Sequence, residues 1–272
     1  MADNTEKKSL FRPTLIVAGL TSLSRVVGLI RDILISNVLG VSYITDIFIV
    51  ALRIPNIFRR ITAEGAFSAA FIPMFSKKLI SNKISAIKFS EDILFMSLII
   101  MISITSVLQI FMPFFIYFIA YGFTNDPIKY DLAINFSRIT APYILLISLS
   151  SIGIAILNSL GRYFASSFGP VIFNAVLVFI LILPINNISS IGYLLSFGVT
   201  FSGIIQFLLI FYFLSKSGYK LNLRKPKNLN LINKFSTIAR PQIITGLAIQ
   251  ANIVLSGIIA SFVEGGISIL YY

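Results

Sequence analysis

Between Ser22 and Ser76 the chain carries eight charged side chains in an otherwise apolar stretch: Arg25, Arg31, Asp32, Asp46, Arg53, Arg59, Arg60 and Glu64. Two kinds of chemistry are open to such a set. Asp32, Asp46 and Glu64 could pass for carboxylates placed for general acid–base work. Each has an arginine close in sequence, however, which keeps it ionised and a poor acid. The cations outnumber the anions five to three, and arginine presents a planar fork of donors matched to phosphate oxygens. The set therefore points to binding an anion, with the carboxylates orienting the arginines. A structural reading stays open beside it, since Arg–Asp pairs also hold membrane helices together. The chain has no Cys and no His, which excludes disulfides, thiol and imidazole catalysis and His-based metal sites. Neither a cofactor nor a metal is expected, and the chain does not read as an enzyme.

A charge at mid-membrane costs about 2.5–3.5 kcal/mol on insertion scales, so these faces must line something wet. At about 100° per residue, Arg25 and Asp32 nearly eclipse one another, with Ser24, Gly28, Arg31 and Ser36 in the same arc. On a straight second helix Asp46, Arg53, Arg60 and Glu64 share a face, and Arg60 can pair with Glu64 four residues on. Arg59 points elsewhere, toward the headgroups. Arg59 and Arg60 also fit snorkelling residues at a helix end. Gly28 and Gly65 suit close helix packing, while Pro142, Asn158 and Asn174 read as kinks and helix glue.

The elements that must position these residues follow from composition. Of the 272 residues 57% are hydrophobic and 12% charged, and the mean hydropathy is +0.92. The implied class is an all-α, polytopic helical membrane protein. A net charge of +12 raises nucleic acid as a partner to be weighed. The cations are divided between short loops and apolar segments, however, and form no single basic face, so no nucleic-acid partner is expected. The hydropathy pattern predicts about seven to eight spans. They are Pro13–Val38, an overlong Tyr43–Ser76 kinked or broken at Pro55, Ile93–Tyr121 interrupted at Pro113, Ile134–Leu160, Phe168–Leu183, Ile191–Leu214, Ile238–Val263 and the opening of an eighth at Ile267–Tyr272.

The first run reads as an uncleaved span, because it meets Arg25 and lacks a clear small-residue cleavage site. Cations gather at the N-terminus (Lys7, Lys8, Arg12), in a basic loop of Lys77, Lys78, Lys83 and Lys88, at Arg162, and in a long loop from Lys216 to Lys234. The alternate loops hold almost only Lys129. The positive-inside rule then places the N-terminus and the basic loops in the cytoplasm. The expected organisation is a cytoplasmic tail over 1–12, a six-helix lobe over 13–214, a basic cytoplasmic loop over 215–237, and a seventh helix with the start of an eighth over 238–272.

S-R-V-V-G-L-I-R-D (24–32) and T-D-I-F-I-V-A-L-R-I-P-N-I-F-R-R-I-T-A-E-G-A-F-S-A-A-F-I-P (45–73) closely resemble the N-terminal signature of the MurJ/MviN family, lipid II flippases of the multidrug/oligosaccharidyl-lipid/polysaccharide exporter superfamily. A-P-Y-I-L-L-I-S-L-S-S, A-I-L-N-S-L-G-R-Y-F and F-G-P-V-I-F-N resemble later parts of it. The resemblance implies the N-terminal lobe of a two-lobed bundle with alternating access to a cationic cavity, in the bacterial inner membrane. Its substrate would be lipid II, the undecaprenyl-pyrophosphate-linked disaccharide-pentapeptide, moved from the cytoplasmic to the outer leaflet. By motif position Arg25, Arg31, Asp32, Asp46, Arg59, Arg60 and Glu64 match the family's functional charges, with Arg31 the leading diphosphate contact oriented by Asp32. Arg53 joins the candidate set from its place in the same stretch. Ser268 matches a cavity-side serine. The family pattern continues past Tyr272 with an Ala-Asp-Arg and a second lobe, so a truncated lobe or a separately encoded partner half is expected. An ion-coupled drug exporter of the same superfamily and a non-transporting lobe are the alternatives.

Overall fold

The computed structural model describes residues 2–60, 66–226 and 229–271, without the side chains of 2–13, 66–67 and 229. The described residues form helices joined by turns and one longer irregular segment over 219–226. The helices are α1 (Ala2–Val38), α2 (Tyr43–Arg59), α3 (Ala66–Ser81), α4 (Lys83–Ile110), α5 (Met112–Ile119), α6 (Pro127–Thr140), α7 (Pro142–Ser159), α8 (Phe164–Leu181), α9 (Ile188–Lys216), α10 (Leu229–Ala260) and α11 (Gly266–Tyr271). A short 3-10 turn, Tyr121–Asn125, joins α5 to α6. Six segments are long and apolar enough to cross a membrane: Thr14–Val38, Lys83–Ile110, Pro127–Ser159, Phe164–Leu181, Ile188–Lys216 and Asn230–Ala260. The protein is thus a multi-pass membrane protein. The larger number read from the sequence also counted α2 and α11, which are shorter.

The turns fall where glycine permits a positive φ. Gly40 (φ 62°) follows α1, and Gly265 (φ 70°) precedes α11. Ser42 then caps α2, its hydroxyl accepting from the Thr45 amide at 3.3 Å. α2 is the central helix, with every side chain from Ile44 to Leu52 buried. Its neighbours are α6, α7, α9 and α11, while α1 packs along α8. One apolar core gathers Phe48, Phe136, Tyr143 and Leu195; a second gathers Phe71, Phe75, Phe89 and Ile152 around α3, α4, α7 and α10.

The structure bears on three of these expectations. Within the expected second helix the structure describes α2 and α3, while 61–65 between them lie outside the described residues, and α2 stays helical past Pro55 to Arg59. Proline leaves the carbonyl four residues earlier without its helical donor. Here Thr140 Oγ1 supplies one, donating to the Ala51 carbonyl at 2.9 Å, so the helix continues. The basic loop expected after it is a one-residue joint: Lys77 and Lys78 lie in α3, Lys83 and Lys88 in α4. Asn82 makes this possible by capping α4, its Oδ1 accepting from the Ile84 amide at 2.8 Å. The long basic loop is tied back to α4. Arg224 Nε lies 2.6 Å from Glu91, its Nη2 lies 3.3 Å from Asp92, and the Asn222 amide donates to Glu91 at 3.0 Å.

Candidate functional site

A cavity of about 880 Å³ opens among α1, α2, α7, α8, α9, α10 and α11. Its cations are Arg31 from α1, Arg53 and Arg59 from α2, and Arg60 at the α2 C-cap, and no carboxylate lies among its described lining residues. α1 and α2 deliver these arginines because their apolar sequence keeps the helices in the bundle while the charged positions face inward.

Arg31 is the most fully held. Its Nε and Nη2 donate to Asp32 Oδ1 at 2.9 and 2.7 Å, and its Nη1 donates to Asn174 Oδ1 at 2.7 Å. The Tyr271 hydroxyl, on α11, lies 3.1 Å from both Arg31 Nη2 and Asp32 Oδ1. Asn174 Nδ2 in turn donates to the Ser24 carbonyl at 3.1 Å. Three helices therefore fix one guanidinium. The close packing of α1 on α8 depends on Gly28, where a side chain would begin 3.2 Å from Asn174 Nδ2. Asn174, read from sequence as helix glue, is glue and cavity wall at once.

Arg53 is held differently. Its Nη1 is buried with no hydrogen-bond partner. The guanidinium occupies the space beside Gly257 of α10 that a side chain there would fill. Arg59, expected to point toward the headgroups, lines the cavity instead.

The other candidates lie elsewhere. Arg25 is exposed on α1 and does not line the cavity. Glu64 falls outside the described residues. Asp46 and Ser268 are brought together, away from the cavity and fully buried. Asp46 Oδ1 accepts from the Ser268 amide at 2.8 Å and its hydroxyl at 2.6 Å; Oδ2 accepts from the Gly265 amide at 2.9 Å and Lys129 Nζ at 3.2 Å. The expectation of a cavity-side Ser268 is thereby corrected. Its hydroxyl and amide serve a carboxylate that ties α2 to α6 and to the turn before α11. Asp46 shares the helical spacing of Arg53, but the ring of donors around it turns it into a strut.

Sequence reasoning passed over Gly257, Tyr271, Gln206, Gln250 and Asn252, all at or beside the cavity. The amides carried a usable signal, because a Gln or Asn in an apolar span is costly unless paired or facing water.

A sequence model of the family described as "Lipid II flippase MurJ" matches residues 35–272. The chain belongs to the MurJ family. A probable lipid II flippase MurJ of Rhizobium meliloti (strain 1021) is 34% identical over 269 residues, covering 97% of this chain and 50% of that protein. Its counterpart from Rickettsia prowazekii (strain Madrid E) is 35% identical over 265 residues, covering 97% and 52%. The chain thus spans about half the length of the curated MurJ relatives it matches. A solved structure titled "Lipid II flippase MurJ, inward closed conformation" superposes with a TM-score of 0.80 at 26% identity, covering 95% of this chain and 53% of that one. An inward-facing multidrug resistance MATE family transporter superposes at 0.67 with 15% identity, covering 94% and 59%, a likeness of fold alone.

Proposed function

We propose that the chain is the first lobe of a flippase that carries lipid II, the undecaprenyl-pyrophosphate-linked disaccharide-pentapeptide, from the cytoplasmic to the outer leaflet of the bacterial inner membrane. The observation that carries this reading is the charge of the cavity. Arg31, Arg53, Arg59 and Arg60 line it, and Arg53 Nη1 is buried there with no acceptor. Leaving such a donor unsatisfied costs about 1–3 kcal/mol, more for a charged group, and an anionic ligand recovers that cost. Diphosphate oxygens fit the guanidinium fork.

Translocation moves the substrate and breaks no bond, so the residues bind and orient. Arg31, pre-positioned by Asp32 and Asn174, is the leading diphosphate contact, and Arg53, Arg59 and Arg60 spread the remaining charge. The distribution of lysines and arginines supports a cytoplasmic N-terminus. A second lobe, on the same or another polypeptide, would rock against this one to alternate access, with membrane lipids covering the outer faces. An exporter of organic cations would need a carboxylate-lined cavity, and this lining is the reverse.

Complementation tests the proposal. Bacteria depleted of their own flippase receive the chain with a co-expressed second lobe, in wild-type or Arg31→Ala form. Rescue by wild type and none by Arg31→Ala, at equal membrane levels, is the expected result. Equal rescue by both, or no rescue with both lobes present in the membrane, would overturn it.

A further inference from the structure

The cavity's polar residues are sorted by chemistry. All four lining cations stand on α1 and at α2, whereas α7, α8 and α9 contribute Ser150, Asn158, Ser166, Ser167, Asn174 and Gln206 and no charge. Ser166 Oγ lies 2.8 Å from Asn158 Oδ1 and 2.8 Å from the Tyr163 carbonyl oxygen, joining α7 to α8. Gln206 is buried, its Nε2 donating to the Ser202 carbonyl at 3.2 Å. Its Oε1 lies 3.1 Å from where a side chain on Gly169 would begin, so the glycine lets the amide reach the cavity wall. One turn along α8, the Phe173 ring packs 5.8 Å from that of Tyr143, and both line the cavity.

We propose that this wall of α7, α8 and α9 is a carbohydrate subsite. Asn158, Ser166 and Gln206 hydrogen-bond the hydroxyl and acetamido groups of a hexosamine, and the Phe173–Tyr143 pair covers its apolar face. The assignment rests on the diphosphate reading of the arginines. A side-chain amide carries donor and acceptor on one planar group, as a sugar hydroxyl or acetamido group requires, and adds no charge to compete with the arginines. Such a site rejects an analogue lacking the hydroxyls more sharply than an apolar pocket does, because its buried polar groups are then left unpaired.

Position agrees with chemistry. Asn174 touches Arg31, and Ser166 lies eight residues earlier on the same helix. At 1.5 Å per residue that is about 12 Å, the reach of a sugar joined to a diphosphate held at Arg31. The cavity volume of about 880 Å³ also falls in the range that encloses a ligand well beyond a bare diphosphate.

The test uses the full chain in lipid nanodiscs with two probes, farnesyl diphosphate and farnesyl-diphospho-N-acetylglucosamine, and reads the ratio of their dissociation constants. Wild type is expected to favour the glycosylated lipid by about tenfold, the scale of one or two net hydrogen bonds. Asn158→Ala and the near-isosteric Gln206→Met, each removing a side-chain amide from the wall without adding charge, should bring the ratio close to one. A folding defect would scale both constants together and leave the ratio alone. Arg31→Ala should raise both constants while the ratio persists. Equal wild-type affinity for the two lipids, or an unchanged ratio in both wall variants, would overturn the sugar subsite alone. No binding of either lipid, or no effect of Arg31→Ala, would overturn the diphosphate reading and the subsite with it.

Discussion

Gln109 and Arg138 each donate to the other's backbone carbonyl. Gln109 Nε2 reaches the Arg138 carbonyl at 2.7 Å, and Arg138 Nε reaches the Gln109 carbonyl at 3.2 Å. These are the two carbonyls, four residues ahead of Pro142 and Pro113, that the prolines leave without a helical donor. An intramembrane cation is thereby explained by backbone accounting, with no ligand needed.

The exchange predicts a crossed rescue. Arg138→Met and Gln109→Leu each orphan one carbonyl and should cost about 1–3 kcal/mol in thermal unfolding of the detergent-solubilised chain. Pro113→Ala restores a donor for the Gln109 carbonyl, so it should recover stability in Arg138→Met and not in Gln109→Leu. Pro142→Ala should show the opposite preference. Rescue without that selectivity would mean the side chains act through packing.

Asp46 and Lys129 form a buried pair with side-chain exposures of 0% and 9%. Removing one partner of such a pair typically costs about 3–5 kcal/mol, because it strands the other charge. Asp46→Asn should therefore lower unfolding stability by about that much. Adding Lys129→Met, which removes the stranded ammonium, should recover part of the loss in a double-mutant cycle. Additive losses would show that Lys129 does not depend on Asp46.

Much of this was legible in the sequence where one helix carries the information. Arg31 and Asp32 are neighbours in the chain, and the Gly40 and Gly265 turns are local punctuation. The role of Asp46 was not legible. Helical spacing puts it on the face of Arg53, but what it meets is Lys129 and Ser268, 83 and 222 residues away. The compensation at Pro55 was hidden for the same reason, since its hydroxyl sits on Thr140, 89 residues from Ala51. Periodicity finds a face; only tertiary packing says what the face touches.

Gly257 sets the position of Arg53 by having no side chain. Gly257→Val should push the guanidinium out of its place and weaken farnesyl diphosphate binding by about tenfold, matching the loss of one charge-assisted hydrogen bond. Arg53→Ala should do the same, and the double variant should be no worse than either. Unchanged binding in Gly257→Val would show that Arg53 does not contact the diphosphate.

Arg31 separates charge from geometry. Its three nitrogens are committed in different directions, to Asp32, Asn174 and Tyr271. Lysine keeps the positive charge but is a single point of donors on a flexible stem, so Arg31→Lys cannot span those partners and also keep a directed donor on the diphosphate. Arg31→Lys should therefore fail in complementation and lose about tenfold in farnesyl diphosphate affinity, nearly as severe as Arg31→Ala. Tyr271→Phe removes one orienting contact and should cost about threefold, the scale of a weak net hydrogen bond. The order Lys close to Ala, with Tyr271→Phe milder, identifies a pre-positioned guanidinium. Full activity in Arg31→Lys would instead mean that the cavity works through net charge alone, and that the hold of Asp32 and Asn174 on Arg31 only packs α1 against α8.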